Sequence, residues 1–267
     1  MKPSFFQDPV SLDWLILAPR RDRRPHQKSN KKLLCPFDSG SEGMTPPEIL
    51  RVGDGAADKK GWQIRVIPNL FPVTEIHEVI VHSPDHRRDL ADLPTEHVEQ
   101  IFKVFQDRYN ALKPKGYPLI FNNTGLEAGA SLTHPHSQLT VIPAHIGVSS
   151  PLAQKPHNIA IKTKSLVAFC PDFSTWPYET WIEPYPRGKD FGQVDLPQLE
   201  ELAKLTQQIL QSFRAAHPNL AYNFYIYPGA DWYLRIMGRS LTKAGFELGS
   251  GVQVNTIDPK EVVKILS

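Results

Sequence analysis

Apolar residues recur at helical spacing in two segments of the chain. The first segment runs from about Pro94 to Leu112, and its apolar face comprises Val98, Ile101, Phe102, Phe105, Tyr109 and Leu112. The second runs from about Pro197 to Ala215, and its apolar face comprises Leu199, Leu202, Leu205, Ile209, Leu210 and Phe213. Because residues three and four apart share one face of an α-helix, this spacing predicts two amphipathic helices. Each helix needs a sheet or another helix to cover its apolar face.

The two predicted helices lie in matching surroundings, which indicates an internal repeat. Each is introduced by the same tripeptide, Asp92-Leu93-Pro94 in one case and Asp195-Leu196-Pro197 in the other. Strand-like runs precede them at residues 77–84 and 178–184 and follow them at 119–123 and 221–226, an offset of about 100 residues. We therefore predict an α+β fold with a duplicated unit, divided into residues 1–150 and 151–267. The polar, proline-containing segment 143–164 is expected to form the crossover between them.

The composition is that of a globular chain that folds in water. Of the 267 residues, 40% are hydrophobic, 22% charged and 10% aromatic, which argues against a disordered, fibrous or membrane-embedded protein. No run of about 18 apolar residues is present, and the N-terminus lacks the apolar stretch of a signal peptide. The formal net charge of +2 is too near balance for a surface that coats nucleic acid. We therefore expect neither a membrane nor a nucleic-acid partner.

Cysteine usage bears on the compartment. The chain contains two cysteines, Cys35 and Cys170, which is too few for a disulfide framework. Single thiols of this kind are typical of proteins in a reducing compartment, so a cytoplasmic location is expected. Cys170 is most simply a packing thiol.

Residues suited to chemistry concentrate in the first half, between Thr124 and Gln138. His134 and His136 are two apart, so in an extended chain their side chains project to the same side, and Gln138 joins that face. Neutral imidazole is a competent nucleophile toward phosphorus, and a glutamine amide can donate to phosphate oxygens. The pattern therefore favours phosphoryl-type transfer.

Other segments offer groups for phosphate or base recognition. Gly125, Gly129 and Ser131 together resemble a backbone cradle with a hydroxyl donor. The arginine-rich segment 20–24 could hold phosphate oxygens through bidentate guanidinium contacts, or it could be a solvated loop. Asn69 could bond a base edge or cap a turn. No P-loop, GxGxxG fingerprint or GxSxG elbow occurs, which argues against those nucleotide-binding and hydrolase classes.

The same histidines are also compatible with a metal site. His86 and Cys35 offer further nitrogen and sulfur ligands, and Cys35-Pro36-Phe37-Asp38 has the spacing of a metal-binding turn with aspartate in the fourth place. A carboxylate can ligate zinc, but a lone Cys-x-x-Asp is commonly a loop. Spacing alone leaves both interpretations open.

Several motifs along the chain match one known family. The run His134 to Gln138 reads His-Pro-His-x-Gln and follows Ala128-Gly129-Ala130-Ser131, while Cys35-Pro36-Phe37 is followed by Thr45-Pro46-Pro47-Glu48. Further matches are Asp13-Trp14, Arg21, Arg24, Asn69, Ser83–His86, Asn123–Gly125 and Gly245–Leu248 leading to Gln253. Over nearly its whole length the chain resembles the galactose-1-phosphate uridylyltransferase family of the histidine-triad-like superfamily. The resemblance implies two histidine-triad-like halves, each an antiparallel sheet with a packed helix, and a homodimer.

The resemblance also implies a double-displacement reaction. His136 would attack the α-phosphorus of a nucleotide sugar, release the sugar 1-phosphate and hold the nucleotide until a second sugar phosphate accepts it, which predicts ping-pong kinetics. Catalysis is expected from His136 and Gln138 in the N-terminal half. Substrate contacts are expected from Arg21, Arg24, Asn69, Asn123, Gly129, Ser131, Glu247 and Gln253, with Asn69 on the base and the last two on the hexose. One zinc ion is expected on Cys35, Asp38, His86 and His134.

Asp38 departs from the family pattern, because the family usually has a second cysteine there. A carboxylate oxygen is a harder ligand than sulfur, so the site is expected to be weakened or altered, with iron as an alternative to zinc. The C-terminal half lacks the His-x-His run that supplies a further metal in some members, and a single site is therefore expected.

The expected activity is exchange of UMP between UDP-glucose and galactose 1-phosphate through a uridylyl-histidine. A related alternative passes the nucleotide to inorganic phosphate, which makes the protein a nucleotide-sugar phosphorylase of the ADP-glucose type or a dinucleotide phosphorylase. An alternative of another class is a nucleotide-binding or metal-binding module without turnover. Base, hexose and acceptor are not defined by residue spacing.

Overall fold

The computed structural model describes residues 3–23, 34–148 and 155–267. Within these ranges helices and antiparallel strands are mixed, which confirms the predicted α+β class. The elements in chain order are β1 Ser4–Gln7, β2 Trp14–Leu17, β3 Leu50–Gly53, β4 Trp62–Pro68, β5 His77–Val81, α1 Thr95–Leu112, β6 Tyr117–Thr124, β7 His136–Ile142, β8 Ile159–Lys162, β9 Leu166–Phe169, β10 Thr180–Pro184, α2 Leu196–Ala216, β11 Tyr222–Ile226, β12 Leu234–Gly238, α3 Gly245–Ser250 and α4 Pro259–Leu266.

Both long helices form where the apolar periodicity predicts them. The bounds of α1 and α2 agree with the expected ones to within one residue. The carboxylate of Asp195 caps α2 by accepting from the N–H of Gln198 at 3.0 Å. The apolar face of α2 is buried over its length, through Leu199, Leu202, Leu205, Ile209, Leu210 and Phe213. Burial of this stripe is the main source of stability for such a helix.

The chain divides into two compact units that are interleaved in sequence. The first takes its described residues from 1–89, 108–120 and 131–149, and the second from 90–107, 121–130 and 150–267. The boundary at residue 150 and the duplication of a histidine-triad-like unit stay predictions.

The first unit is built on antiparallel strands in the order β3-β4-β5-β7, with the start of β6 next to β7. In the β5–β7 pair, Val79 lies opposite Gln138 and Val81 opposite His136. Val79 and Val81 are buried with Trp62 in one apolar cluster. His136 and Gln138 of β7 therefore lie next to a well-packed apolar cluster. Strands β1 and β2 form a separate antiparallel pair.

The second unit is built on antiparallel strands in the order β11-β12-β10-β9-β8, with the end of β6 beside β11. Phe169, Trp181 and Tyr233 form its buried aromatic cluster. The rings of Trp181 and Tyr233 stack with centroids 4.5 Å apart.

The segment 143–164, which was expected to form the crossover, contains a strand that the sequence analysis did not predict. Strand β8, Ile159–Lys162, lies within it and pairs with β9. The strand has four residues, and its central pairing shifts between Ile159 and Ile161, so it has too little alternation to predict. Residues 149–154 of the segment lie outside the described residues. Among the described residues, no helix has the length and apolar character that crossing a membrane requires.

Candidate active site and metal centre

Strand β7 carries two of the predicted site residues on one face. It begins at His136, and Gln138 lies two residues further on. Side chains two apart in a strand project to the same side, and both residues line a cavity of about 370 Å³. The cavity walls are mostly apolar and include Leu34, Phe37, Met44, Ile67, Leu70 and Phe71. A cavity of this size and character suits a small ligand fixed by a few polar groups.

His134 is not among the residues that line this cavity. It lies in a bend before β7, and its Nε2 is 2.8 Å from the carbonyl oxygen of Ser83. The expectation required an extended chain from residue 134 onward, whereas the strand starts only at His136. His134 contributes instead to a separate group of side chains around Asp38.

The imidazole of His136 is held in one tautomer by the main chain. Its Nδ1 lies 2.7 Å from the carbonyl oxygen of His134. Since a carbonyl oxygen only accepts, Nδ1 carries the proton and the lone pair is on Nε2. The residue is 8% exposed, and its ring meets that of Phe37 edge-on with centroids 5.2 Å apart. An oriented imidazole whose Nε2 carries the lone pair has the form required of a nucleophile.

Gln138 is oriented by hydrogen bonds to its carbonyl oxygen. Oε1 accepts from Nε2 of His77 at 3.0 Å and from Nδ2 of Asn69 at 3.4 Å. Because the oxygen is engaged by two donors, the amide hydrogens are the groups that Gln138 offers to a ligand. Sequence reasoning missed His77, since one histidine at the start of a buried strand gives no spacing signal. The β5–β7 register, which brings Val79 opposite Gln138, is what reveals it.

Asn69 and Arg21 both contact the main chain of Phe71, which lines the cavity. Oδ1 of Asn69 accepts from the N–H of Phe71 at 2.8 Å, so Asn69 caps a turn, and it also lines the cavity. Nη1 of Arg21 donates to the carbonyl oxygen of Phe71 at 2.9 Å. Ser131 lines the same cavity. Arg24 lies outside the described residues.

The other predicted substrate contacts belong to the second unit. Oδ1 of Asn123 accepts from Nδ2 of Asn223 at 2.7 Å. Gly129 has φ +79°, a conformation that favours glycine. In α3, Oε2 of Glu247 accepts from a main-chain N–H at the start of its own helix at 3.0 Å, and beyond the helix Nε2 of Gln253 donates to a main-chain carbonyl at 3.0 Å. Their contacts with substrate stay predictions.

The four predicted metal ligands come together in the first unit. The ligand atoms of Cys35, Asp38, His86 and His134 all lie within 4.8 Å of one another. Nδ1 of His86 is 2.7 Å and Nδ1 of His134 is 3.0 Å from Oδ1 of Asp38. The group draws on residues 35 to 134 of the sequence, so the fold and not local spacing assembles it.

The hydrogen bonds around this group favour a bound cation. Nε2 of His134 must donate to the carbonyl oxygen of Ser83, which leaves the lone pair of Nδ1 directed at the carboxylate of Asp38. Two acceptors in contact repel unless the ring is protonated or a cation lies between them. Burial lowers the pKa of His134, although the hydrogen bonds to Ser83 and Asp38 oppose this. A protonated ring is therefore disfavoured, and a cation fits better.

The remaining groups are consistent with a metal site. Burial would raise the pKa of Asp38, but the interactions with His86 and His134 outweigh it and the pKa is lowered, so the carboxylate is ionised. Burial raises the pKa of the Cys35 thiol to about 11. Nε2 of His86 is 2.9 Å from Oγ1 of Thr133, so the second nitrogen of each histidine has a partner that orients the ring. Two nitrogens, one oxygen and one sulfur form a ligand set that zinc accepts.

Comparison with known proteins agrees with these features. The family model for the N-terminal domain of galactose-1-phosphate uridyl transferase matches residues 71–141. The ADP-glucose phosphorylase of Arabidopsis thaliana is 27% identical over 326 aligned residues, covering 99% of this chain and 92% of that protein. The galactose-1-phosphate uridylyltransferase of Haemophilus influenzae is 24% identical, covering 79% of this chain and 75% of that protein.

Solved structures extend the likeness to the whole fold. The crystal structure of an ADP-glucose phosphorylase from Arabidopsis thaliana with bound ADP-glucose superposes with a TM-score of 0.76 and 26% sequence identity. The match covers 99% of this chain and 98% of that one. The matched family segment contains the histidine and glutamine of β7 that line the cavity. This agreement of fold, motif and site confirms the predicted resemblance to the galactose-1-phosphate uridylyltransferase family.

Proposed function

We propose that this protein takes the nucleoside monophosphate from a nucleotide sugar onto His136 and passes it to a phosphate-bearing acceptor. The observation that carries the proposal is the 2.7 Å hydrogen bond from Nδ1 of His136 to the carbonyl oxygen of His134. It leaves the nucleophilic lone pair on Nε2 in a residue that lines the cavity together with Gln138.

The reaction has two displacements at the α-phosphorus. In the first, Nε2 of His136 forms a bond to phosphorus, the bond from phosphorus to the bridging oxygen breaks, and sugar 1-phosphate leaves with the electron pair. In the second, an acceptor phosphate oxygen attacks the same phosphorus and the nitrogen–phosphorus bond breaks, which restores the neutral imidazole. The proton on Nδ1 stays in its hydrogen bond throughout, so the main-chain carbonyl stabilises the positive charge that the adduct places on the ring.

Two donors at the cavity suit the charge on the phosphate oxygens. The amide hydrogens of Gln138 and the hydroxyl of Ser131 are assigned to these oxygens, with Arg21 as a nearby cation. The apolar walls suit the faces of a nucleobase, and Asn69 is assigned to its edge. Asn123 and Gly129, with Arg24, are assigned to the phosphates, and Glu247 and Gln253 to the hexose, as the family resemblance implies.

ADP-glucose with inorganic phosphate as acceptor is the first substrate pair to test. The supporting relative is the Arabidopsis ADP-glucose phosphorylase, whose match extends over nearly the full length of both chains. The sequence analysis favoured UDP-glucose with galactose 1-phosphate. That pair is the second candidate, supported by the family model and by the Haemophilus uridylyltransferase, which matches a smaller share of the chain. A cytoplasmic homodimer stays a prediction.

Zinc is the metal we assign to Cys35, Asp38, His86 and His134, with iron as the alternative that Asp38 introduces. With four protein ligands, zinc in such a site is structural and cross-links the segments that carry them. What this chain then supplies to the reaction is a fixed position for His134, whose carbonyl oxygen orients His136.

Intact-mass spectrometry tests the covalent step. The protein is incubated with ADP-glucose or UDP-glucose, without acceptor, and an acid-labile gain of one AMP or one UMP is expected. His136→Asn should show no gain, whereas His157→Asn, which changes an exposed histidine, should label like the wild type. Adding phosphate or galactose 1-phosphate to the labelled protein then identifies the acceptor. Absence of any adduct in folded, metal-loaded protein would contradict the proposal and favour a binding module.

A further inference from the structure

We infer that His77 is a positioning residue that fixes which end of the Gln138 amide faces the substrate phosphate. The inference rests on the proposed function, because it concerns the donor assigned to the α-phosphate. It assigns His77 no contact with substrate. Its effect is transmitted entirely through the hydrogen bond between its Nε2 and Oε1 of Gln138, which is 3.0 Å long.

The strand register brings the two side chains together. His77 is the first residue of β5 and lies opposite Thr140 of β7, while Gln138 lies opposite Val79. His77 and Gln138 are thus diagonal neighbours across one antiparallel pair, a separation that long side chains bridge. Both residues are buried, at 4% and 6% exposure, so the hydrogen bond between them is shielded from water.

The main chain determines the tautomer of His77. The N–H of Val73 donates to Nδ1 of His77 at 3.1 Å. A main-chain N–H cannot accept, so Nδ1 carries the lone pair and the proton lies on Nε2. Nε2 therefore donates to Gln138, and the acceptor must be the carbonyl oxygen of the amide.

A second main-chain N–H enforces the same orientation independently. Phe71 donates to Oδ1 of Asn69 at 2.8 Å, which turns Nδ2 of Asn69 toward Oε1 of Gln138 at 3.4 Å. Nδ2 of Asn69 is also 3.2 Å from Nε2 of His77. Both nitrogens carry protons, so this is a contact between two donors that share one oxygen as acceptor.

Reversing the amide of Gln138 would be unfavourable on both sides. Its NH2 group would meet two donors, from His77 and Asn69, and three buried donors would share no acceptor. Its oxygen would face the cavity and repel the phosphate oxygens of a ligand. The amide of glutamine has no intrinsic preference between these orientations, so the network around His77 supplies it.

A double-mutant cycle on adduct formation tests the inference. The first-order rate of nucleotidylation by saturating ADP-glucose or UDP-glucose, whichever labels the wild type, is measured for wild type, His77→Leu, Gln138→Ala and the double variant. Gln138→Ala should slow the step by about 10² to 10³. His77→Leu should slow it by about 10 to 10² with the dissociation constant of the nucleotide sugar within about threefold of wild type. The double variant should match Gln138→Ala alone. A double variant slowed by the product of the two single effects would overturn the inference.

Two further measurements separate positioning from mere support of the fold. His77→Gln keeps a donor near the position of Nε2 and should recover much of the rate lost in His77→Leu, whereas equal rates for these two variants would contradict the inference. Ring ¹⁵N chemical shifts are measured on the wild-type protein, and the signals of His77 are assigned by their absence in His77→Gln. They should show that Nε2 of His77 is protonated and that Nδ1 is not. The opposite tautomer would overturn the inference without any activity assay. If the wild type forms no adduct, the proposed function fails, and the tautomer still decides whether the amide of Gln138 is oriented as described.

Discussion

Metal binding to the Cys35 cluster should release one proton per metal ion at pH 8. Burial raises the pKa of the Cys35 thiol to about 11, so the metal-free protein holds it as a thiol. A metal binds the thiolate, and the proton must leave. Burial would raise the pKa of Asp38, but the interactions with His86 and His134 lower it, so this carboxylate is already ionised. Burial lowers the pKa of His134, so its ring is already neutral at pH 8. Cys35 is therefore the expected source of the proton.

The cost of this deprotonation sets the pH dependence. Bringing a thiol of pKa about 11 to the thiolate at pH 8 costs about 4 kcal/mol, at 1.36 kcal/mol per pH unit. The metal-bound form is favoured as pH rises, because the cost falls with each unit toward the pKa of Cys35. The apparent affinity should increase about tenfold per unit between pH 7.5 and 9.5 and fall as the solution is acidified.

Titration calorimetry of chelator-stripped protein with Zn²⁺ measures the proton directly. The same titration in buffers of different ionisation enthalpy should give a slope of one proton. Cys35→Ser should bind more weakly and release less than one proton. Cys170→Ser is a matched control, because burial also raises the pKa of the Cys170 thiol to about 11 but Cys170 lies outside the cluster, so proton release should stay at one. A slope of zero in the wild type, or no transition metal retained by purified protein, would refute the reasoning.

Three further predictions concern the supports of the site. Arg65→Met should destabilise the protein by about 3 kcal/mol in urea unfolding, because Arg65 is 2% exposed and its 2.9 Å ion pair with Glu48 is buried; a loss under about 1 kcal/mol would contradict this. Asn223→Leu removes the 2.7 Å hydrogen bond to Asn123, together with the bonds to the carbonyl oxygen of Ala128 and from Arg239, and should slow nucleotidylation about tenfold. An unaltered rate would exclude Asn123 from the site. Gly125→Ala introduces a Cβ 2.6 Å from a neighbouring side chain at φ +90° and should cost at least about 2 kcal/mol by the same unfolding assay. A wild-type midpoint would show that the turn can relax.

Sequence periodicity predicted the secondary-structure elements whose signals lie within the element itself or next to it in the chain. Helix α2 is an example, since its apolar stripe, its Asp195 cap and the following proline are all local. Strand β8 was missed because four residues give too short a pattern and its pairing with β9 is decided elsewhere in the chain. Local signals therefore predict long helices well and short edge strands poorly.

The site residues likewise fall into those that local spacing predicts and those that only the tertiary fold brings together. His136 and Gln138 were predictable as a pair, because the two-residue period of a strand fixes their common face. His134 contacts Asp38 outside the cavity lining, and nothing in the sequence marks that β7 starts only at His136. His77 was not found at all, because its importance arises from the β5–β7 register and from the N–H of Val73. What escapes the sequence is the set of contacts that orient the chemical groups.

His134 connects the metal cluster to the proposed nucleophile within a single residue. Its Nδ1 belongs to the cluster, its Nε2 is fixed by Ser83, and its carbonyl oxygen holds Nδ1 of His136 at 2.7 Å. A ring held at both nitrogens leaves little freedom to the peptide unit that follows, and the proline at position 135 restricts it further. The proposed metal site can therefore act on the proposed reaction without touching the substrate, by fixing the carbonyl that selects the tautomer of His136. The orientation of His136 depends on the position of the His134 ring more than on the affinity of the cluster for a metal. A site with Asp38 in place of a cysteine remains compatible with the reaction as long as it holds that ring.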